Sequence, residues 1–224
     1  DANYVTAVGI AALKAMTTGV GNVAVGAFTG DSITTGAYNT IVGHQALTSA
    51  GTGVSHNTVV GYRAGYKLGD DGGSDHSEQN IAIGYLAMAG GHDTVANNTS
   101  NFNVAVGNSA LGGGTGASTS LTGNNNAAFG HNALKVLSTG GNNVCIGKDS
   151  GDSITTANFN TLIGNGSDLS AANGENQNVF GYAAIGVGNN SVTLGNSSVT
   201  DVYMADDVGA TVHAANIKVP ATGK

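Results

Sequence analysis

The sequence predicts an all-β protein, a parallel β-roll or solenoid of about eleven short rungs. Three observations predict it. An apolar phrase ending in Gly returns throughout, from "NVAVG" at 22–26 to "NVCIG" at 143–147. The anchors are Gly9, Gly26, Gly43, Gly61, Gly84, Gly107, Gly130, Gly147, Gly164, Gly181 and Gly195, in steps of 17, 17, 18, 23, 23, 23, 17, 17, 17 and 14. Three residues after each anchor stands Ala, Ser or Thr. A period of this kind marks a stacked repeat array. One longer pair, "GDSITTGAYNTIVG" (30–43) and "GDSITTANFNTLIG" (151–164), is identical at nine of fourteen positions.

Each position within a unit has a physical reading. The residue before the anchor is apolar in all eleven units, and the one before that in every unit except at Thr193. Short β-branched runs of this type read as strands. They do not alternate with polar residues, so both strand faces need cover. One face lines the coil, and the residue before the anchor, such as Val106, is assigned to it. The other face needs a second surface, and the cheapest source is another copy of the chain. The Gly suits a turn with positive φ or no room for a Cβ. The small residue three places on suits a tight corner or a close backbone approach. The structural repeat is completed by an Asn four residues before the anchor, in the pairs Asn22–Gly26, Asn39–Gly43, Asn57–Gly61, Asn80–Gly84, Asn103–Gly107, Asn126–Gly130, Asn143–Gly147 and Asn160–Gly164. Asn bonds to neighbouring backbone and tolerates the left-handed region. Stacked at strand spacing, identical Asn side chains can form a ladder.

Composition narrows the function. Charged residues are 9% of the 224, against about 25% in an ordinary domain. The 40% apolar content argues against disorder. A net charge of −7 and the lack of basic clusters make nucleic acid a poor partner. No apolar run approaches membrane-spanning length, so no membrane insertion is expected. Cys145, the single cysteine, occupies a repeat position otherwise filled by small or branched apolar residues and reads as core.

The phrases "NVAVG", "NIAIG" and "NSVTLG", each followed by a small residue three places on, resemble the head repeats of YadA-like trimeric autotransporter adhesins. They are also similar to repeats of phage tail fibres. The resemblance spans roughly residues 5–199, taken here within a repeat region of 1–199. It implies a left-handed β-roll wound as an intertwined homotrimer. The common step of 17, with three of 23, is longer than that of the adhesin heads and favours a viral fibre. The non-repeat segment 200–224 resembles the stretch that precedes a self-cleaving chaperone domain in many phage fibres.

The expected function is therefore non-enzymatic: an extracellular, trimeric fibre segment on a virion tail or a cell surface, attaching to a cell-surface glycan or protein receptor. The alternatives are a bacterial adhesin head, a glycan-cleaving tailspike, an ice-binding solenoid and a plain spacer. The three long steps each add six residues between the small-residue corner and the next Asn, in 66–79, 89–102 and 112–125. Stacked rungs would align these insertions into one raised patch per chain, and insertions on one face of a solenoid often bind. The ligand candidates there are Asp70, Asp71, Asp75, His76, Glu78, His92, Asp93 and Asn97. Asp70, Asp71 and Asp75 are the candidates for a structural cation such as Ca2+, without the spacing of an EF-hand. No catalytic residue and no other cofactor is assigned. His44 and His131, directly after an anchor, are placed on the surface.

Overall fold

The computed structural model describes residues 3–48, 52–69, 77–90, 99–112 and 120–203. Eleven strands lie among them: β1 (Thr6–Val8), β2 (Val23–Val25), β3 (Thr40–Val42), β4 (Thr58–Val60), β5 (Ile81–Ile83), β6 (Val104–Val106), β7 (Ala127–Phe129), β8 (Val144–Ile146), β9 (Thr161–Ile163), β10 (Gln177–Phe180) and β11 (Ser191–Leu194). They form one parallel sheet in sequence order, so the chain is an all-β solenoid of about ten turns. Every strand ends on the residue before an anchor Gly. The register matches the anchors: Val8 pairs with Val25, Val60 with Ile83 and Ile83 with Val106. The steps of 23 therefore leave the strand pairing unshifted.

Anchor Gly is required twice over. Its φ lies between +129° and +147° from Gly9 to Gly181, where L side chains are strained. A Cβ on Gly107 would also sit 2.6 Å from the carbonyl carbon of Gly130 in the next rung. The left-handed conformation assigned to the repeat Asn lies instead one residue earlier, as at Tyr38 (φ 57°), Phe102 (φ 59°) and Phe159 (φ 60°). The Asn itself is needed for its side chain.

The interior is narrow. In β2, β3 and β5 the middle residue is buried and its neighbours exposed. Ala24, Ile41, Val59, Ala82, Ala105, Ala128, Cys145 and Leu162 thus face inward, with the small residues Ala46, Ala64, Ala87 and Ala110. Larger buried side chains, among them Ile33, Leu47, Leu68, Met88, Leu134 and Ile154, join them in one core cluster. Where a Gly replaces a large residue there, its neighbours occupy the room: a Cβ on Gly151 would lie 2.9 Å from Cys145 Sγ and 3.3 Å from Ile154 Cδ1. The assignment of Val106 to the inward face is corrected. Val106 is half-buried on the outer face, and Ala105 is the residue inside.

An asparagine ladder runs through this interior. Asn39 Nδ2 donates to Asn22 Oδ1 (3.0 Å) and to the Val54 carbonyl (2.8 Å). Asn39 Oδ1 accepts from the backbone N–H and Nδ2 of Asn57 (3.0 and 3.1 Å). All four hydrogen-bonding sites of the amide are filled, which makes its burial tolerable. The pattern repeats through Asn160, whose Oδ1 accepts from the Gln177 backbone (2.9 Å). Gln177 then turns its own amide to Ser170 and Asn189.

Cys145 is fully buried. Burial pushes its thiol well above the ordinary range, partly opposed by a hydrogen bond with Ser150 and reinforced by the charge of Asp168. Only the thiolate is a good nucleophile. Iodoacetamide should therefore leave Cys145 unmodified in the folded protein and alkylate it readily in denaturant, as mass spectrometry will read. Rapid labelling of the folded protein would contradict this packing.

Candidate functional site

The outer face of the sheet is the largest feature that the core does not use. The strand residues flanking each buried centre point outward. Val25, Val42, Ile83, Ile146 and Ile163 are each 37–40% exposed in the single chain. This near-constant value follows from stacking, because each side chain is covered above and below but not in front. Scattered exposed hydrophobics are ordinary, whereas a continuous apolar strip of this length marks an interaction surface.

Two columns border the strip. The first precedes the asparagine ladder and carries exposed Tyr38, Phe102 and Phe159 in the left-handed region, with His56 stacked on Tyr38 at 5.2 Å. Bulky residues seldom adopt that conformation, and strain of this type gathers at functional positions. The second column follows the anchor. His44 and Tyr62 stack at 5.6 Å, Tyr62 and Tyr85 at 5.5 Å, and Phe28 meets His44 edge-on at 6.1 Å. The Arg63 guanidinium lies over the rings of Tyr62 (5.5 Å) and Tyr66 (5.0 Å), and its Nε donates to Gln45 Oε1 (2.8 Å). Backbone bonds hold this column in step: Leu86 N–H to the Tyr62 carbonyl, Ser109 to Tyr85, Asn132 to Asn108, and Asp149 to His131.

Further along, Asp149 gathers three neighbours. Lys148 Nζ lies 2.9 Å from Oδ2, Asn132 Nδ2 donates to Oδ1 (2.8 Å), and His131 Nδ1 stands 3.7 Å away. The Lys148 and Asn132 contacts hold the Asp149 carboxyl below the usual carboxylate range. His131 and His44 are both exposed, as expected, His44 within the ring stack.

Of the ligand candidates read from sequence, Asp70, Asp71, Asp75, His76, His92, Asp93 and Asn97 lie outside the described residues. Glu78 is described and half-buried. Its backbone N–H donates to Asn101 Oδ1 (2.7 Å), and Asn101 N–H in turn donates to Asn124 Oδ1 (2.7 Å). This is a second, outer amide ladder, continued by Gly141 N–H to Asn158 Oδ1 (2.9 Å). Among the described residues no group of three or more His, Cys, Asp or Glu could hold a metal ion. The aromatic column escaped the sequence reading, although aromatic or His residues one place after three successive anchors, at His44, Tyr62 and Tyr85, were its available signal.

Comparison with family models, curated proteins and solved structures found no match for the chain.

Proposed function

We propose that this chain is a non-enzymatic segment of an extracellular homotrimeric fibre that displays an attachment surface, a viral tail fibre being favoured over a bacterial adhesin head. The observation that carries the reading is the outward apolar strip running from β2 to β9. Fully burying a Val, Ile or Phe stabilises by about 1.5–3 kcal/mol, so each partly exposed residue of the strip retains a large share of that to gain from a partner surface. The strip repeats with the rungs, so a partner with the same repeat matches it along its whole length. A second copy of this chain has that repeat. The resemblance of the repeats to trimeric heads and fibres supplies the number three, and the long step favours the viral form. Light scattering on the purified protein should report three chains, and the trimer should adhere to its host cells. A folded, monodisperse monomer would reject the assembly. Release of reducing ends from host polysaccharide would reject the non-enzymatic reading.

A pair of neighbouring substitutions separates the two faces. Ala105→Asp places an unpaired charge in the coil and should abolish folding, at a cost of several kcal/mol. Val106→Asp places the same charge on the outer strip. It should abolish the three-chain species in light scattering. An intact trimer of the Val106→Asp protein would move the interface off this face.

A further inference from the structure

We propose that the column following the anchor glycines, from Tyr62 through Tyr85 and Asn108 to His131, is a binding track for a neutral oligosaccharide lying along the coil. This deepens the attachment reading above and rests on it, because it names the ligand class and its place. Tyr85 is 50% exposed, Tyr62 stacks on it at 5.5 Å, and no other ring or cation stacks on it among the described residues. The next residue in the column is Asn108, which is exposed, and the one after is His131, also exposed. An aromatic ring followed along one line by an amide and an imidazole combines the two contacts a sugar needs. Its C–H face packs on the ring, and its hydroxyls bond to donors and acceptors.

Preorganisation supports the track. Tyr85 is backed by Tyr62, which stacks in turn on His44. The turn backbone is bonded from rung to rung at Tyr62, Tyr85, Asn108 and His131. Little freedom remains to be lost on binding, which favours affinity. The rungs recur at about 4.8 Å, so successive side chains meet an extended chain at regular intervals. Charge selects the neutral class. The cations beside the track are already engaged, Arg63 with Gln45 and two tyrosine rings, and Lys148 with Asp149. The chain as a whole carries −7.

The test uses the full chain and hexasaccharides of glucose, mannose and galactose, with an oligogalacturonate as the anionic probe. Binding is read by saturation-transfer NMR and by tyrosine fluorescence, and assembly by light scattering. At least one neutral oligomer should bind. Tyr85→Ala should weaken it about tenfold, and Asn108→Ala should weaken it by a smaller factor. Phe159→Ala, at a more exposed ring in the other column, should leave binding unchanged, and all three variants should keep the oligomeric state. The proposal is overturned if no neutral oligomer binds, if the anionic probe binds better, if Tyr85→Ala leaves affinity unchanged or alters assembly, or if Phe159→Ala weakens binding as much. A trimer that binds no sugar would remove the track and leave the assembly standing.

Discussion

Replacing Asn103 by Leu is expected to cost roughly 3–9 kcal/mol. Asn103 Oδ1 accepts from both the backbone N–H (2.8 Å) and Nδ2 (3.1 Å) of Asn126, and its own Nδ2 donates to the Gly123 carbonyl (3.0 Å). Leu fills similar space and answers none of these. Two donors and one acceptor are left buried, each at about 1–3 kcal/mol. Asn80 Oδ1 keeps the backbone N–H of residue 103 and loses only its second bond (3.3 Å). Asn101→Ala is the comparison. It removes the amide that accepts from Glu78 N–H on the outer ladder, where solvent can replace it, and should cost about 1 kcal/mol. Urea denaturation of the two variants measures the gap. Equal losses would mean that the buried ladder contributes no more than the outer one.

Gly107→Ala should be nearly as damaging, at about 3 kcal/mol or more. Two penalties combine there. The backbone holds φ +140°, and the new methyl would meet the Gly130 carbonyl carbon at 2.6 Å and its Cα at 3.3 Å. Both obstacles are backbone, so no side chain can swing aside. Relief requires parting the rungs of β6 and β7, which breaks their pairing. Gly188→Ala separates the two penalties, since φ is +154° there and nothing lies within 4 Å of the added methyl. The Gly107 variant should melt well below the Gly188 variant. Coincident melting would show that the dihedral alone sets the cost.

Much of this fold is legible in the chain because each rung states its own rule. The anchor at Gly107, the apolar run before it and the Asn four places earlier are local signals, and each falls where a strand, a turn and a ladder form. Which strand face turns inward is not legible by polarity. Val104, Ala105 and Val106 are all apolar, and polarity gives no contrast between faces. Size is a clue in only some rungs. Ala82, Ala105 and Ala128 face inward beside the bulkier Ile83, Val106 and Phe129, but Ile41 and Leu162 also face inward, beside Val42 and Ile163. The outer amide ladder is hidden for another reason. Its acceptors are a hydroxyl at Ser55 and amides at Asn101, Asn124 and Asn158, so no single letter marks the column. The aromatic column is likewise a property of register. Tyr62 and Tyr85 stand 23 residues apart and meet only because β4 and β5 pair without a shift.

That indifference of register to step length has an evolutionary consequence. Six extra residues enter between β4 and β5, between β5 and β6 and between β6 and β7, and the paired strands do not slip. Each strand pairs only with its neighbours in sequence, so a change in one turn is not transmitted to the others. The shaft and its decorations can therefore diverge at different rates. Whole turns can be added to lengthen the protein by about 4.8 Å apiece, and 30–43 and 151–164, alike at nine of fourteen positions, are the kind of pair that such copying would leave. The connecting segments can change in length and sequence while the strand register is kept.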